Sequence, residues 1–184
     1  MKHITLKHLI LCGNLAVLGM LAKPLFSPMF NLLTDFIHIP GGSVTAGISI
    51  LFLVFGSILI RRPGTAALMG FLQAVISLSS GISAAAGALV LITYTLPGVM
   101  TDLVICSPLP VSMKTKAELA GALGVLAGAS STNLLYFHLS LIPFLLFYIF
   151  GILSGALGGY LAWVIYCRLP EQYKKGFSTY EKEN

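Results

Sequence analysis

The feature that most constrains this chain is the absence of charged side chains over long stretches. Residues 119–167 contain no Lys, Arg, Asp or Glu, and residues 63–101 are equally free of charge. Soluble domains carry roughly 25% charged residues, whereas this chain carries 9%. A lipid bilayer needs about 20 apolar residues per helix. Each charge-free run, with its margins, is therefore long enough for two membrane helices joined by a short turn.

The pattern predicts an all-α polytopic membrane protein with six transmembrane helices in a single domain over residues 1–184. A loop at 23–42, which contains Pro24 and Pro28, is predicted between the first two helices. An alternative with five spans remains open, because Lys7 shortens the first apolar segment. The predicted spans cover residues 4–22, 43–60, 64–80, 85–105, 117–137 and 142–167.

Basic residues are distributed unevenly between the two sides of these spans. Ten of the eleven lie on one side, and only Lys23 lies on the other. The positive-inside rule assigns the basic side to the cytoplasm. We therefore expect both termini to be cytoplasmic and residues 23–42 to lie outside. The net charge of +5 then reflects topology and contact with anionic lipid, and it does not indicate nucleic-acid binding.

The segment "LITYTLPGVMTDLVI" (91–105) places a helix breaker and an acid within one apolar span. Pro97 lacks a backbone N–H and crowds the preceding turn, which predicts a kink. Asp102 is expected near the cytoplasmic boundary of the span. Two roles remain open for it: stabilising the fold with help from Lys114 or Lys116, or coupling to a partner at the cytoplasmic face.

Small residues recur one helical turn apart in three spans. Such spacing lets helix backbones approach closely in lipid, and in spans five and six we expect it to serve packing within the chain. In the first span, Cys12, Ala16 and Gly19 share one face, which is a candidate docking surface for another membrane protein. The repeats in the later spans are Ala117/Gly121, Gly124/Gly128 and Gly151/Gly155/Gly159.

Polar side chains that could hold a ligand gather towards the outer ends of the spans. Each has an ordinary structural explanation, such as a helix–helix hydrogen bond for Gln73 or the interfacial aromatic belt for Tyr136. Together they predict a pocket that opens outward beneath the 23–42 loop. The candidate substrate-binding residues are Asp35, His38, Gln73, Ser80, Tyr94, Asn133, Tyr136 and His138.

Sequence motifs of enzymes are missing from the chain. It contains no G-x-S-x-G, no H-E-x-x-H and no P-loop, and its three cysteines do not have metal-binding spacing. We therefore expect no catalytic activity, no cofactor and no bound metal. If the protein transports actively, the energy has to come from another subunit.

Two neighbouring stretches resemble the substrate-binding S component of an energy-coupling factor (ECF) transporter, closest to the thiamine-precursor type. They are "ILIRRPGTAALMGFLQAVISLSSG" (58–81) and "GALVLITYTLPGVMTDLVI" (87–105). In that type, an Arg-Arg/Lys-Pro-Gly turn enters the third span, and a glycine-containing segment that ends in an acid forms the fourth. The remainder of the chain is similar only in topology.

Two features depart from the family pattern. The Ala-x-x-x-Ala motif of the family's first helix is represented only by Cys12-x-x-x-Ala16. The segment "HIPGG" (38–42) is similar to the start of the mature metal-binding S components, but here it is internal. The metal site of those proteins is therefore not carried over.

The resemblance implies a subunit that captures a small organic micronutrient from outside and delivers it inward, with a thiamine- or hydroxymethylpyrimidine-like molecule favoured. The implied partners are a transmembrane coupling subunit and two cytoplasmic ATPases, in the plasma membrane of a prokaryote. Haem or a metal chelate remains an alternative ligand, because His38 and His138 both lie on the outer side. A secondary carrier or oligomeric scaffold that needs no ATPase is an alternative of another class, although neither an inverted repeat nor midplane acids are found.

Overall fold

The computed structural model describes residues 6–35, 41–81, 84–137, 141–172 and 174, and the regular structure in these ranges is entirely helical. A short 3-10 segment (Ala84–Leu89) precedes the fourth α-helix, and a π-helical segment (Asn133–Phe137) continues the fifth. The predicted all-α class is confirmed for these residues. The helices are α1 (Leu6–Asp35), α2 (Gly41–Ile60), α3 (Thr65–Ser79), α4 (Val90–Cys106), α5 (Met113–Thr132) and α6 (Leu141–Arg168).

The prediction of a loop at 23–42 was wrong for its first part. Helix α1 continues through Pro24 and Pro28 to Asp35, residues 36–40 lie outside the described residues, and α2 begins at Gly41. Proline removes a backbone donor, but helices in apolar surroundings tolerate it when neighbouring groups satisfy the freed carbonyls. At 1.5 Å per residue the helix is ~45 Å long, which exceeds the hydrocarbon thickness of a bilayer, ~30 Å.

Three stretches among the described residues are long and apolar enough to cross a membrane. Helices α2 and α3 contribute shorter apolar segments, Thr45–Ile60 and Thr65–Ser79. The protein is therefore a membrane protein by composition and helix length, whereas a total of six spans stays a prediction. The three long stretches are Leu6–Met29, Gly87–Cys106 and Leu145–Arg168.

Helix α2 is the centre of the bundle, because it contacts each of the other five helices. Around it, α1 packs on α3, α3 on α4, α4 on α5 and α5 on α6. The side chains of Leu53, Val54 and Ile58 on α2 are almost completely buried. They form the apolar core together with residues of α1 and α3, including Ala16 and Met69.

Glycines allow α6 to lie in backbone contact with both α2 and α5. A Cβ added to Gly121 of α5 would overlap the carbonyl oxygen of Gly155, and one added to Gly158 would overlap that of Gly47 on α2. On α5, Gly128 lies beside the ring of Pro97, where an added Cβ would come within 2.9 Å of Cγ. The interpretation of these small residues as packing within the chain is therefore confirmed.

The small-residue face of α1 also points inward. Cys12 and Ala16 are at most 1% exposed, and Gly19 is buried beside Phe52 of α2 and Gln73 of α3. In this arrangement the three residues are not accessible to another protein, so their position does not support the predicted docking role. Small side chains were correctly read as a close-approach surface, but the helices that approach belong to the same chain.

The basic residues that the structure describes collect at one end of the bundle, with Lys23 as the exception. The turn with Arg61 and Arg62 lies beside the end of α4, because the start of α3 contacts Asp102. Lys114 at the start of α5 lies over the ring of Tyr160 near the end of α6. We call this the basic end, and the opposite one the distal end.

Candidate functional site

At the basic end, Asp102 of α4 caps the start of α3. Its carboxylate accepts hydrogen bonds from the backbone N–H groups of Ala66 (3.0 Å) and Ala67 (2.9 Å) and from the hydroxyl of Ser57 (2.9 Å). The residue that precedes α3, Gly64, has no side chain to do this. The first turn of a helix leaves backbone donors without partners, so Asp102 provides from another helix what an N-cap residue usually provides locally.

The turn before α3 explains why it needs an external cap. Arg61 and Gly64 both have left-handed backbone conformations, with φ of 50° and 89°. The Arg61 N–H donates to the carbonyl of Ser57 (2.8 Å), and the Thr65 hydroxyl donates to the carbonyl of Arg62 (2.8 Å). This Arg-Arg-Pro-Gly turn reverses the chain tightly, and the carboxylate from α4 then fixes the direction in which α3 leaves it.

Of the two roles left open for Asp102, its contacts support the stabilising one, with different partners from those expected. Lys116 donates to the carbonyl of Ser107 (2.7 Å), and Lys114 lies 3.9 Å from Glu118. The carboxylate is 6% exposed and is bound by amides and a hydroxyl. The absence of a side chain at Gly98 lets α4 approach α3 closely enough for Asp102 to reach the α3 amides. A Cβ on Gly98 would overlap the Ala66 carbonyl oxygen.

The distal half of the bundle has a layer of buried polar side chains. They come from α2, α3, α4 and α5, and the apolar residues Leu53, Val54 and Met69 separate them from the basic end. Most bond within the protein: Ser49 donates to the carbonyl of Gly19 (3.2 Å), and Ser131 donates to that of Gly128 (2.9 Å). The buried members of this layer are Thr45, Ser49, Gln73, Ser77, Thr93 and Ser131.

Gln73 is the member of this layer whose hydrogen bonding is incomplete. It is 2% exposed, and its side-chain nitrogen Nε2 has no hydrogen-bond partner among the described residues. The amide lies against α1, where a Cβ on Gly19 would come within 2.5 Å of Nε2. A buried unsatisfied donor costs about 1–3 kcal/mol, so a site that keeps one is a candidate for contact with a bound molecule.

Tyr94 lies on the adjacent helix α4, beside the turn of α3 that precedes Gln73. A Cβ on Gly70 would overlap the Tyr94 carbonyl oxygen, and Gln73 follows Gly70 by one turn of α3. The ammonium group of Lys23 lies 4.1 Å from the centre of the Tyr94 ring. The distal part of α1, α3 and α4 thus combines an amide, an aromatic ring and a cation, a set of groups suited to a polar aromatic or anionic ligand.

The other predicted ligand residues are not brought into this group by the described structure. The Ser80 hydroxyl is exposed and donates to the carbonyl of Ile76 (2.7 Å), which closes the end of α3. Asn133 follows α5 as its capping residue and is half-buried. Asp35 is the last residue of α1 and Tyr136 lies in the π-helical segment, but their side chains are not described. His38 and His138 lie outside the described residues.

Lys23 was missed as a candidate by the sequence-based reasoning. It was interpreted only as the exception to the charge distribution, yet a single Lys in the distal half of the bundle is itself a signal. Among the described residues, no group of three or more His, Cys, Asp or Glu side chains is arranged to hold a metal ion.

The fold defines the class as a helical membrane protein with a buried polar layer, and comparison with known families narrows it. Residues 7–129 match the family described as "ABC-type cobalt transport system, permease component", which is more than half of the 184 residues. The chain belongs to this family. No curated protein and no solved structure matches it.

Family membership establishes the protein as a membrane component of an ABC-type transport system, which operates with ATPase and other membrane subunits. It is consistent with the expected relation to ECF-type transporters. The matched residues extend from α1 to most of α5. They therefore include both the Asp102 cap and the group around Gln73.

Proposed function

We propose that this protein is the substrate-capture subunit of an ECF-type importer and that it binds a small organic micronutrient in the distal half of the bundle. The observation that carries the proposal is the buried Nε2 of Gln73, which has no partner among the described residues. The Tyr94 ring on the adjacent helix α4 and the Lys23 ammonium over that ring would supply further groups for recognition. A ligand that accepts a hydrogen bond from Gln73 would satisfy the amide, so binding gains an interaction that the unbound protein lacks.

The favoured ligand is a thiamine precursor such as hydroxymethylpyrimidine. Its ring nitrogens accept hydrogen bonds, its amino group donates them, and a glutamine amide can do both. The resemblance of residues 58–81 and 87–105 to the thiamine-precursor type supports the same choice. Gln73 and Tyr94 are both among the predicted contact residues, and they lie on the adjacent helices α3 and α4.

Cobalt or a metal chelate, including haem, is the second candidate. The description of the matched family names cobalt transport, and metal ions of this kind are bound by imidazole. The predicted ligand residues His38 and His138 would supply that chemistry. This candidate places recognition at the distal connections, whereas the first places it between α1, α3 and α4.

The orientation that accompanies the proposal puts the basic end in the cytoplasm. Both termini would be cytoplasmic, all six helices would span the plasma membrane of a prokaryote, and the distal end would face outward. The collection of Lys and Arg at one end of the bundle supports this through the positive-inside rule. Labelling an Asp35→Cys variant, in a background without the native cysteines, tests it: we expect modification from outside, and modification only from the cytoplasmic side would contradict it.

The energy for transport would come from partners, which we propose to be a transmembrane coupling subunit and two cytoplasmic ATPases. The match to an ABC-type system supports this arrangement over a secondary carrier or scaffold that needs no ATPase. The chain itself would not hydrolyse ATP. Co-purification of tagged protein with its neighbours, followed by mass spectrometry, would identify the subunits.

The experiment that tests the ligand combines identification with titration. Mass spectrometry of small molecules that co-purify with the protein gives candidates, and calorimetry with hydroxymethylpyrimidine, thiamine and Co²⁺ compares them. We expect the pyrimidine to bind and Gln73→Leu to weaken it by about tenfold or more, since 1.4 kcal/mol is a factor of ten. Binding of Co²⁺ alone, unaffected by Gln73→Leu, would favour the second candidate and contradict the first.

A further inference from the structure

An open groove lies at the basic end, between the start of α3 and the end of α4. It has a volume of about 480 Å³, and it opens at the outer surface of the bundle, where Leu103 is 61% exposed. Its walls are formed by Pro63, Gly64 and Ala67 on one side and by Val99, Leu103 and Cys106 on the other. It is separate from the distal polar layer, which lies in the other half of the bundle.

The single acid in the groove does not make it anionic in character. Asp102 lines its floor, but both carboxylate oxygens already accept hydrogen bonds, from Ser57, Ala66 and Ala67. The carboxylate therefore serves the start of α3 and is 6% exposed. What remains available to a molecule in the groove is largely apolar surface.

Two basic residues adjoin residues that line this groove. Ser107 lines the groove, and its carbonyl accepts a hydrogen bond from the Lys116 ammonium (2.7 Å). Arg61 is exposed in the turn that leads into Pro63. This apolar groove lies on the outer surface of a membrane protein and has cations at the basic end. Such a groove is complementary to an acyl chain joined to an anionic headgroup.

The backbone of Arg61 strengthens this reading. Its φ of 50° is left-handed, a conformation that glycine adopts readily and that other L-residues rarely adopt. A strained non-glycine residue persists where the surrounding structure holds it, and such positions cluster at ligand contacts. Here the left-handed residue is a basic one and lies two positions before Pro63, which lines the groove.

We propose that this groove binds an anionic phospholipid, with an acyl chain against Val99 and Leu103 and the headgroup phosphate near Arg61 and Lys116. Each cation near an anionic headgroup strengthens lipid binding by about fivefold. The proposal is independent of which substrate the distal half binds.

The test measures lipid binding to the full-length protein. Delipidated protein would receive phosphatidylglycerol or phosphatidylcholine in mixed micelles, and native mass spectrometry would count retained lipids. We expect selective retention of phosphatidylglycerol, weakened about fivefold by either Arg61→Gly or Lys116→Gln. Because glycine suits a left-handed backbone, Arg61→Gly should fold at least as well as the wild type. Lys114→Gln is the matched control, since Lys114 lies over Tyr160 and beside Glu118.

Two native cysteines provide a readout that needs no mutation. Cys106 lines the groove and is exposed, whereas Cys167 is exposed near the end of α6. Phosphatidylglycerol should slow maleimide labelling of Cys106 and leave Cys167 unchanged. Equal retention of both lipids, or equal retention by wild type and the two groove variants, would overturn the proposal. The proposal would also be overturned if the two groove variants kept their lipid but no longer co-purified with an ABC subunit, because the groove would then be the binding surface for that subunit.

Discussion

The two ends of the α3–α4 pair are built differently. At the basic end, the buried carboxylate of Asp102 has hydrogen-bond donors for both oxygens. Towards the distal end, the buried amide of Gln73 has a nitrogen without a partner among the described residues. Both groups are almost fully buried polar side chains on the same pair of helices. The difference shows that two polar side chains with similar burial can differ in their hydrogen bonding: that of Asp102 is complete, whereas that of Gln73 is not.

Substitutions at the basic end, where the buried polar group has all its hydrogen bonds, should have the larger effect on stability. Removing Asp102 would leave two buried donors and one partly buried donor unpaired, and each buried one costs about 1–3 kcal/mol. We expect Asp102→Ala to lower the free energy of unfolding by about 3 kcal/mol or more, measured by thermal and denaturant unfolding in detergent. Glu118→Gln is the control, because its pair with Lys114 is partly exposed and contributes little. Equal stability of both variants would mean that Asp102 is not the cap of α3.

Close approach of α3 and α4 is required before Asp102 can reach the amides. A methyl group on Gly98 would overlap the Ala66 carbonyl, so we expect Gly98→Ala to destabilise the protein by about 1–3 kcal/mol. Gly13→Ala is the matched control on α1, where an added Cβ meets nothing within 4 Å. Alanine has the higher helix propensity, so that variant should gain up to about 1 kcal/mol. A lower unfolding midpoint for Gly13→Ala than for Gly98→Ala would contradict the close packing of α3 on α4.

The distal end should respond with the opposite sign. Replacing Gln73 by Leu removes an unsatisfied buried donor, so we expect the unliganded protein to become more stable by about 1 kcal/mol. Asp102→Asn provides the comparison at the basic end. It should destabilise the protein, because the amide nitrogen cannot accept a hydrogen bond as the carboxylate oxygen does. A loss of stability in Gln73→Leu would show that Gln73 serves packing, as the ordinary interpretation of an intramembrane glutamine holds.

The smallest effect is expected for the cation–π pairs at the two ends. Lys23 lies 4.1 Å from the Tyr94 ring centre, and Lys114 lies 5.1 Å from that of Tyr160. A double-mutant cycle with Lys23→Met and Tyr94→Leu should give a coupling of about 0.5–1 kcal/mol, larger than the same cycle for Lys114 and Tyr160. A larger coupling at the basic end would remove Lys23 from the candidate site.

Most of the helical architecture could be predicted from the sequence because charge-free runs in lipid leave few alternatives to helices. Helices α2, α3, α4 and α6 begin and end within a few residues of the predicted bounds, apart from the 3-10 turn before α4. Helix α5 begins earlier than predicted, at Met113, because the Ser112 side chain accepts a hydrogen bond from the Thr115 N–H (3.2 Å). Helix α1 was misjudged because proline was treated as a breaker in a setting that tolerates it.

The candidate site could be predicted only in part, because its decisive contacts join distant parts of the chain. Asp102 and Ala66 are separated by 36 positions, and no local pattern indicates that one caps the other. Spacing showed that Cys12 and Ala16 share a face, but it could not show that the face meets α2. Gln73 was identified from its type and depth, whereas its unpaired nitrogen is visible only in the packed structure.

The most direct test of the account measures the ligand-induced thermal shift of Gln73→Leu and Asp102→Asn with hydroxymethylpyrimidine as the probe. We predict that Gln73→Leu melts at a higher temperature than the wild type without ligand and shows little or no shift when the pyrimidine is added. Asp102→Asn should melt at a lower temperature and keep the wild-type shift. If Gln73→Leu instead keeps the full shift and Asp102→Asn loses it, ligand is bound at the basic end, and the assignment of the two ends is contradicted.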